Sequence, residues 1–222
     1  MRIANELQRM KRIVITGGPG CGKSSVLAEL GRRGCLVMPE TFRWLKVLAE
    51  VESFKAEALP QIDGQDFLRR LLAFQRYTED EESSDQFCFY DRSTLDLVAY
   101  TCFYSASLSL SGTSDSIPLL DKYARRFAKE IHKAFLISLP QVSIEHDWLR
   151  QNSLEESILI EKQLRETYAQ YGVELIALGR GAIPALCNSI YQCLGITPDA
   201  EVHAGEHSNS PGGEKSLKPL NA

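Results

Sequence analysis

Gly17–Ser25 reads GGPGCGKSS, and its spacing could do chemistry on phosphate. Gly17, then Gly18, Pro19, Gly20 and Cys21, then Gly22, Lys23 and Ser24 fit glycine, any four residues, glycine, lysine, serine or threonine without a gap. Glycines let the backbone take positive φ and approach a ligand closely. Successive amides form a nest for anionic oxygens, and the positive end of a helix starting near Gly22 adds to it. Lys23 would reach the outer phosphates and the Ser24 hydroxyl would ligate Mg²⁺, with Ser25 completing the loop. The alternative is a glycine turn with no ligand. The flanks argue against it: RIVIT (12–16) suits a buried parallel strand, and KSSVLAEL (23–30) has helical spacing, with Gly31 or Gly34 to end it.

Further acids and arginines recur where apolar strands should end. Glu40 and Arg43 follow CLVMP (35–39), three residues apart, and Arg43 could serve only to pair with Glu40. Asp91 and Arg92 follow FCFY (87–90). His146, Asp147, Trp148 and Arg150 follow AFLISL (134–139), and Arg180 follows VELIAL (173–178). Phosphoryl transfer asks for these types, because the protein mainly positions groups and neutralises charge. Asp91 has the form of a carboxylate holding Mg²⁺ or its water. Glu40 is the candidate to orient an acceptor hydroxyl or take its proton. Arg92, Arg150 and Arg180 are candidate donors to phosphate oxygens. Arg180 could equally be a solvated loop residue, and His146 and Trp148 read as surface and packing residues. Asp96, one turn into the next helix, suits a brace.

The elements that must position these groups alternate. Helices are expected over 41–58, 65–84, 96–105, 119–131, 154–171 and 185–194, with a loop over 105–116. Phe67, Leu68, Leu71, Leu72 and Phe74 form one apolar stripe, and EDEESSD (79–85) reads as a solvated helix end. Leu120, Tyr123, Phe127 and Ile131 share a face. Ser153 and Glu156 suggest a capping box, with Leu154, Ile158, Leu164 and Tyr168 sharing a face and Gly172 closing the helix. Five apolar strands alternating with helices predict an α/β fold: a three-layer α/β/α arrangement around a five-stranded parallel sheet. Ligands of such sheets bind beyond the carboxyl ends of the strands.

Composition bounds the rest. The 222 residues suit one domain, expected over 1–196 with a lid around 141–153. The segment 197–222, rich in Pro, Gly, Ser and charge, is expected to be a disordered tail. Net charge is −4, which argues against nucleic acid as a partner. No run approaches the roughly 20 apolar residues of a membrane span, and no secretory leader is evident. The six scattered cysteines read as reduced thiols of a cytoplasmic protein. Cys21 lies where a thiol can be activated, or is simply a small residue that fits.

ITGGPGCGKSS, VMPETFR, FYDRSTLDLVAY, LP…HDWLR and LGRG together resemble the AAA-type P-loop domains related to NadR, the bifunctional ribosylnicotinamide kinase, over about residues 12–190. The resemblance implies a nucleoside- or nucleotide-kinase-like fold with a mobile lid after the fourth strand. It implies that Gly17–Ser24 bind ATP or GTP, that Asp91 serves the metal, that Arg92 faces the transferred phosphate and that Arg150 closes over the triphosphate. Ser93 departs from the glycine common after the Asp-Arg pair and resembles deoxynucleoside kinases instead. The lid carries one clear arginine. The expected function is a Mg²⁺-dependent phosphotransferase moving the ATP γ-phosphate to a small hydroxylated acceptor such as a nucleoside, nucleotide or ribosyl compound. The alternative is an ATP- or GTP-binding regulator with a lipid or protein partner and little turnover. Oligomeric state is left open, a homodimer included.

Overall fold

The computed structural model describes residues 10–41, 64–80, 87–104, 116–138, 153–179 and 181–196. Five strands form the sheet: β1 (Lys11–Thr16), β2 (Leu36–Met38), β3 (Phe87–Asp91), β4 (Ile131–Ile137) and β5 (Leu175–Leu178). Their order is β2-β3-β1-β4-β5, and every pair is parallel. Six helices accompany them: α1 (Lys23–Arg32), α2 (Gly64–Asp80), α3 (Thr94–Tyr104), α4 (Ser116–Ala128), α5 (Leu154–Gln170) and α6 (Ile183–Leu194).

Strand alternation sorts the core into two layers. Ile13 and Ile15 of β1, Phe89 of β3 and Phe135 and Ile137 of β4 meet Val26, Leu27 and Leu30 of α1 and Cys187 and Ile190 of α6. On the other face Val14, Cys88, Tyr90 and Ala134 meet Leu95 and Ala99 of α3, Ala124 and Phe127 of α4, and Ile160, Leu164 and Tyr168 of α5. Helix α2 joins this second layer through Leu68 and Leu72, packed with Leu120 of α4 and Leu97 and Val98 of α3. The result is the three-layer α/β/α arrangement that alternation of strands and helices predicts.

Several boundaries and faces differ from the sequence expectation. Gly31 lies inside α1; Arg33 ends the helix and Gly34 takes the positive φ of 85°. Ser116 opens α4. Ile131 opens β4, because α4 stops at Ala128 and the amides of Lys129 and Glu130 turn back onto Arg126 and Phe127. In α5 the capping box forms, but Leu154 and Ile158 are exposed. Leu164 and Tyr168 of the expected face are buried, together with Ser157, Ile160 and Thr167. Ile160, Leu164 and Tyr168 pack with Leu95 and Ala99 of α3, so the buried stripe faces that helix. Of the acidic run only Glu79 and Asp80 are described, and Glu79 is buried, 4% exposed. The helix expected over 41–58 is described only at Thr41. The lid residues 141–152, Arg43, Arg180 and the segment 197–222 also lie outside the described residues.

Candidate functional site

The loop after β1 has the geometry its glycines suggest. Gly17 has φ 147°, and a Cβ there would lie 2.4 Å from the Ile137 carbonyl oxygen and 2.7 Å from Cys21 Sγ. Only glycine fits, because the loop passes directly against the end of β4. Gly22 takes φ 92° as the N-cap of α1, and the Ser25 and Val26 amides donate to its carbonyl. Gly18 and Pro19 are buried, Gly20 and Ser24 half-buried, and Ser25 exposed. Lys23 is buried; its ammonium donates to the carbonyls of Gly17 at 2.9 Å and Gly18 at 3.1 Å, with Cys21 Sγ at 3.5 Å. A cation is thus held within a ring of backbone at a helix N-terminus, the electrostatic form of an anion site.

Sheet pairing brings the third strand's end to this loop. Asp91 pairs with Ile15 across β1 and β3, and the Arg92 amide donates to the Ile15 carbonyl. Asp91 is nearly buried, and its Oδ1 has no hydrogen-bond partner in the described structure. Burial first, and then the negative charge of Glu40, push its carboxyl up to about 6, against the opposing pull of Lys23 and Arg92.

Arg92 connects the loop to the second strand. It has φ 74°, unusual for a residue with a side chain. Its Nε donates to Glu40 Oε1 at 2.7 Å and its Nη1 to the Gly17 carbonyl at 3.4 Å. The guanidinium also lies 3.6 Å from Asp96 Oδ1 and over the Tyr100 ring, 4.7 Å from its centroid. Glu40 and Arg92 are both mostly shielded from solvent, so their pairing is stronger than a surface ion pair.

A buried network fixes the backbone that presents Arg92. Asp96 accepts from Thr16 Oγ1 at 2.5 Å, Ser93 N at 2.9 Å and the Tyr168 hydroxyl at 2.6 Å. Asp96 thus braces the start of α3. The next amide, Thr94 N, donates to Glu79 Oε1 at 2.6 Å, and Thr94 Oγ1 lies 2.5 Å from Glu79 Oε2. Tyr168, Tyr100 and Glu79 had no role in the sequence reading. Glu79 was hidden in an acidic run, and the tyrosines in helical hydrophobic patterns.

Of the sequence candidates, the fold therefore gathers Gly17–Ser24, Glu40, Asp91 and Arg92. Arg150 and Arg180 lie outside the described residues. Ser24 and Asp91 offer hard oxygen donors, and the unpartnered Asp91 Oδ1 fits a Mg²⁺ ion or its water. Among the described residues no group of three or more His, Cys, Asp or Glu could hold a metal.

A family model described as an AAA domain matches residues 12–185. Among solved structures, NadR in complex with NAD and AMP-PNP is similar at 15% identity and a TM-score of 0.60, over 85% of this chain and 50% of that one. The chain therefore spans about half the length of NadR. Deoxyadenosine kinase from M. mycoides with bound dCTP is similar at 16% identity and a TM-score of 0.53, over 83% of this chain and 98% of that one. Thymidylate kinase from Candida albicans is similar at 13% identity and a TM-score of 0.55, over 84% and 92%. At these identities the likeness is one of fold. No curated protein matches by sequence.

Proposed function

The chain belongs to the AAA-domain family whose model spans residues 12–185, and on that premise we propose that it is a nucleotide-dependent phosphotransferase acting on a small hydroxylated acceptor. The observation that carries this reading is the Glu40–Arg92 pair, joined at 2.7 Å, with Arg92 also touching the Gly17 carbonyl of the phosphate loop. A carboxylate and an arginine beside the loop are the group types that phosphoryl transfer to an acceptor uses. The kinase-like fold of the structural neighbours supports the same reading.

Each residue has a task in this proposal. The amides of Gly17–Ser24 and the Lys23 ammonium hold the β- and γ-phosphates of ATP, with GTP as the other candidate. Ser24 and Asp91 would hold Mg²⁺, which when bound neutralises phosphate charge. Glu40 accepts a hydrogen bond from the acceptor hydroxyl and takes its proton as the hydroxyl attacks. Arg92 holds Glu40 in place through its Nε and offers its remaining N–H groups to the transferred phosphoryl. Arg150 and Arg180 are proposed as further phosphate contacts. The acceptor is a nucleoside, a nucleotide or a ribosylnicotinamide-like compound.

Mg·ATP consumption by the purified protein, alone and with a panel of nucleosides, nucleotides and nicotinamide riboside, tests the proposal. ATP loss that depends on one acceptor is the expected result and identifies the substrate. Nucleotide binding with no acceptor-dependent turnover would instead favour a regulator. Lys23→Ala should abolish binding or turnover, and unchanged values would remove the loop from the site.

A further inference from the structure

Glu79 is a buried carboxylate that the reaction above does not use. It lies in the last turn of α2. Its contacts run in two directions. Toward α3, Oε1 accepts from the Thr94 amide at 2.6 Å and Oε2 meets the Thr94 hydroxyl at 2.5 Å. Toward the second strand, Oε1 accepts from Gln75 Nε2 at 3.0 Å, and Gln75 Oε1 accepts from the Thr41 hydroxyl at 2.5 Å. Thr41 follows Glu40 directly, and Thr94 stands two residues after Arg92. The chain Thr41–Gln75–Glu79–Thr94 therefore ties together the two backbone segments that carry the Glu40–Arg92 pair. All four side chains are buried.

The α2 backbone is itself anchored. Arg12 of β1 donates through Nη2 to the Glu79 carbonyl at 3.2 Å and pairs with Glu130 at 3.4 Å. Asp80, the charged neighbour on α2, pairs with Arg76 and Arg126. A buried carboxylate is costly unless its lone pairs are used, and here they hold two separate segments at fixed distance. The arrangement tolerates either protonation state. The ionised carboxylate accepts from all three donors; the protonated one donates from Oε2 to Thr94 Oγ1 and still accepts at Oε1.

We propose that Glu79 is a positioning residue for the acceptor side of the site, setting the separation and orientation of Glu40 and Arg92 through Gln75 and Thr94. The role rests on the phosphotransferase reading for its kinetic consequence but not for its geometric one. It is a role of shape and not of charge, so glutamine serves as well as glutamate, and a side chain without oxygens does not.

The test uses Glu79→Ala and Glu79→Gln in the full-length protein. The first readout is the Arg92 side-chain Nε–H resonance, assigned by its loss in Arg92→Lys. In the wild type and in Glu79→Gln it should be shifted and slow to exchange; in Glu79→Ala it should move to the free-arginine position. The second readout is steady-state kinetics with whichever acceptor is turned over. Glu79→Ala should lose on the order of 10²-fold in kcat/KM for the acceptor, the scale of a misplacement near 1 Å, while KM for ATP stays near the wild-type value. Should Glu79→Ala not fold, Gln75→Leu, which removes the arm toward Thr41 and leaves the Thr94 contacts in place, is read in the same way. An unchanged Arg92 signal in the alanine variant, or a glutamine variant as damaged as alanine, would overturn the proposal. The resonance needs no acceptor, so a wild type that phosphorylates nothing defeats the kinase reading and still leaves the role of Glu79 decided.

Discussion

Arg92 holds a positive φ of 74°, a conformation that costs a residue with a Cβ about 1 kcal/mol or more. Its contacts with Glu40, Asp96, the Gly17 carbonyl and the Tyr100 ring over-determine that conformation. The consequence is a guanidinium fixed between the loop and Glu40 before any ligand arrives, and preorganised donors of this kind are the main currency of phosphoryl-transfer catalysis. Two outcomes belong at this scale. Glu40→Gln should leave the ATP dissociation constant within a few-fold of wild type, by isothermal titration, and reduce transfer by roughly 10²-fold or more, the usual worth of a positioned general base. A fully active variant would make Glu40 structural. Gly17→Ala should lose nucleotide binding and also destabilise the fold by about 1–3 kcal/mol in urea denaturation, because its Cβ would strike the β4 backbone.

At the scale of elements, the start of α3 shows how the scaffold presents the site. Three successive amides there are satisfied by side chains: Ser93 N by Asp96, Thr94 N by Glu79 and Leu95 N by Ser93 Oγ. Burial pushes the Glu79 carboxyl up to about 7, against the hydrogen bonds from Thr94 and Gln75, and Asp80 adds a smaller push in the same direction. The folded state therefore binds the proton more tightly than the unfolded chain. The stability this contributes is full below about pH 4.5 and is lost as pH rises through about 7. Glu79→Gln cannot titrate. The difference in unfolding free energy between wild type and Glu79→Gln should therefore shift against the wild type between pH 5 and 8, by an amount of order 3 kcal/mol. A pH-independent difference would show that the carboxyl is unperturbed. At the same scale, Ser153→Ala breaks the capping box of α5 and should cost about 1 kcal/mol.

For the whole molecule, the parallel sheet places the loop after β1 and Asp91 of β3 side by side, at the carboxyl edge where such sheets bind ligands. Nucleotide should then stabilise the fold by mass action. At a hundredfold excess over its dissociation constant, Mg·ATP contributes about 2.7 kcal/mol, which corresponds to a rise of several degrees in Tm. Lys23→Ala should lose that rise, and a shift of the same size in the variant would place binding elsewhere. No described helix is long and apolar enough to cross a membrane.

The sequence by itself determined what is local. The phosphate loop was legible because its ligand groups are contiguous backbone amides, and the order of strands and helices was legible because hydrophobic periodicity is a short-range pattern. Asp91 could be singled out because a carboxylate ending an apolar strand is visible without knowing what lies beside it. Only the tertiary structure decided what depends on partners remote in the chain. Arg92 was placed against Glu40 by the pairing of β2 with β3 and by a positive φ that no composition signals. Glu79 looked like part of a solvated acidic end, and became buried because Thr94 and Gln75 supply the hydrogen bonds that a carboxylate needs to leave water. Leu154 and Ile158 were expected to share a face with Leu164 and Tyr168; Leu164 and Tyr168 are buried with Ile160 against Leu95 and Ala99 of α3, and Leu154 and Ile158 are left in solvent. Periodicity records which side chains could be buried together. Which polar groups go with them is settled by donors and acceptors that meet only in the folded chain.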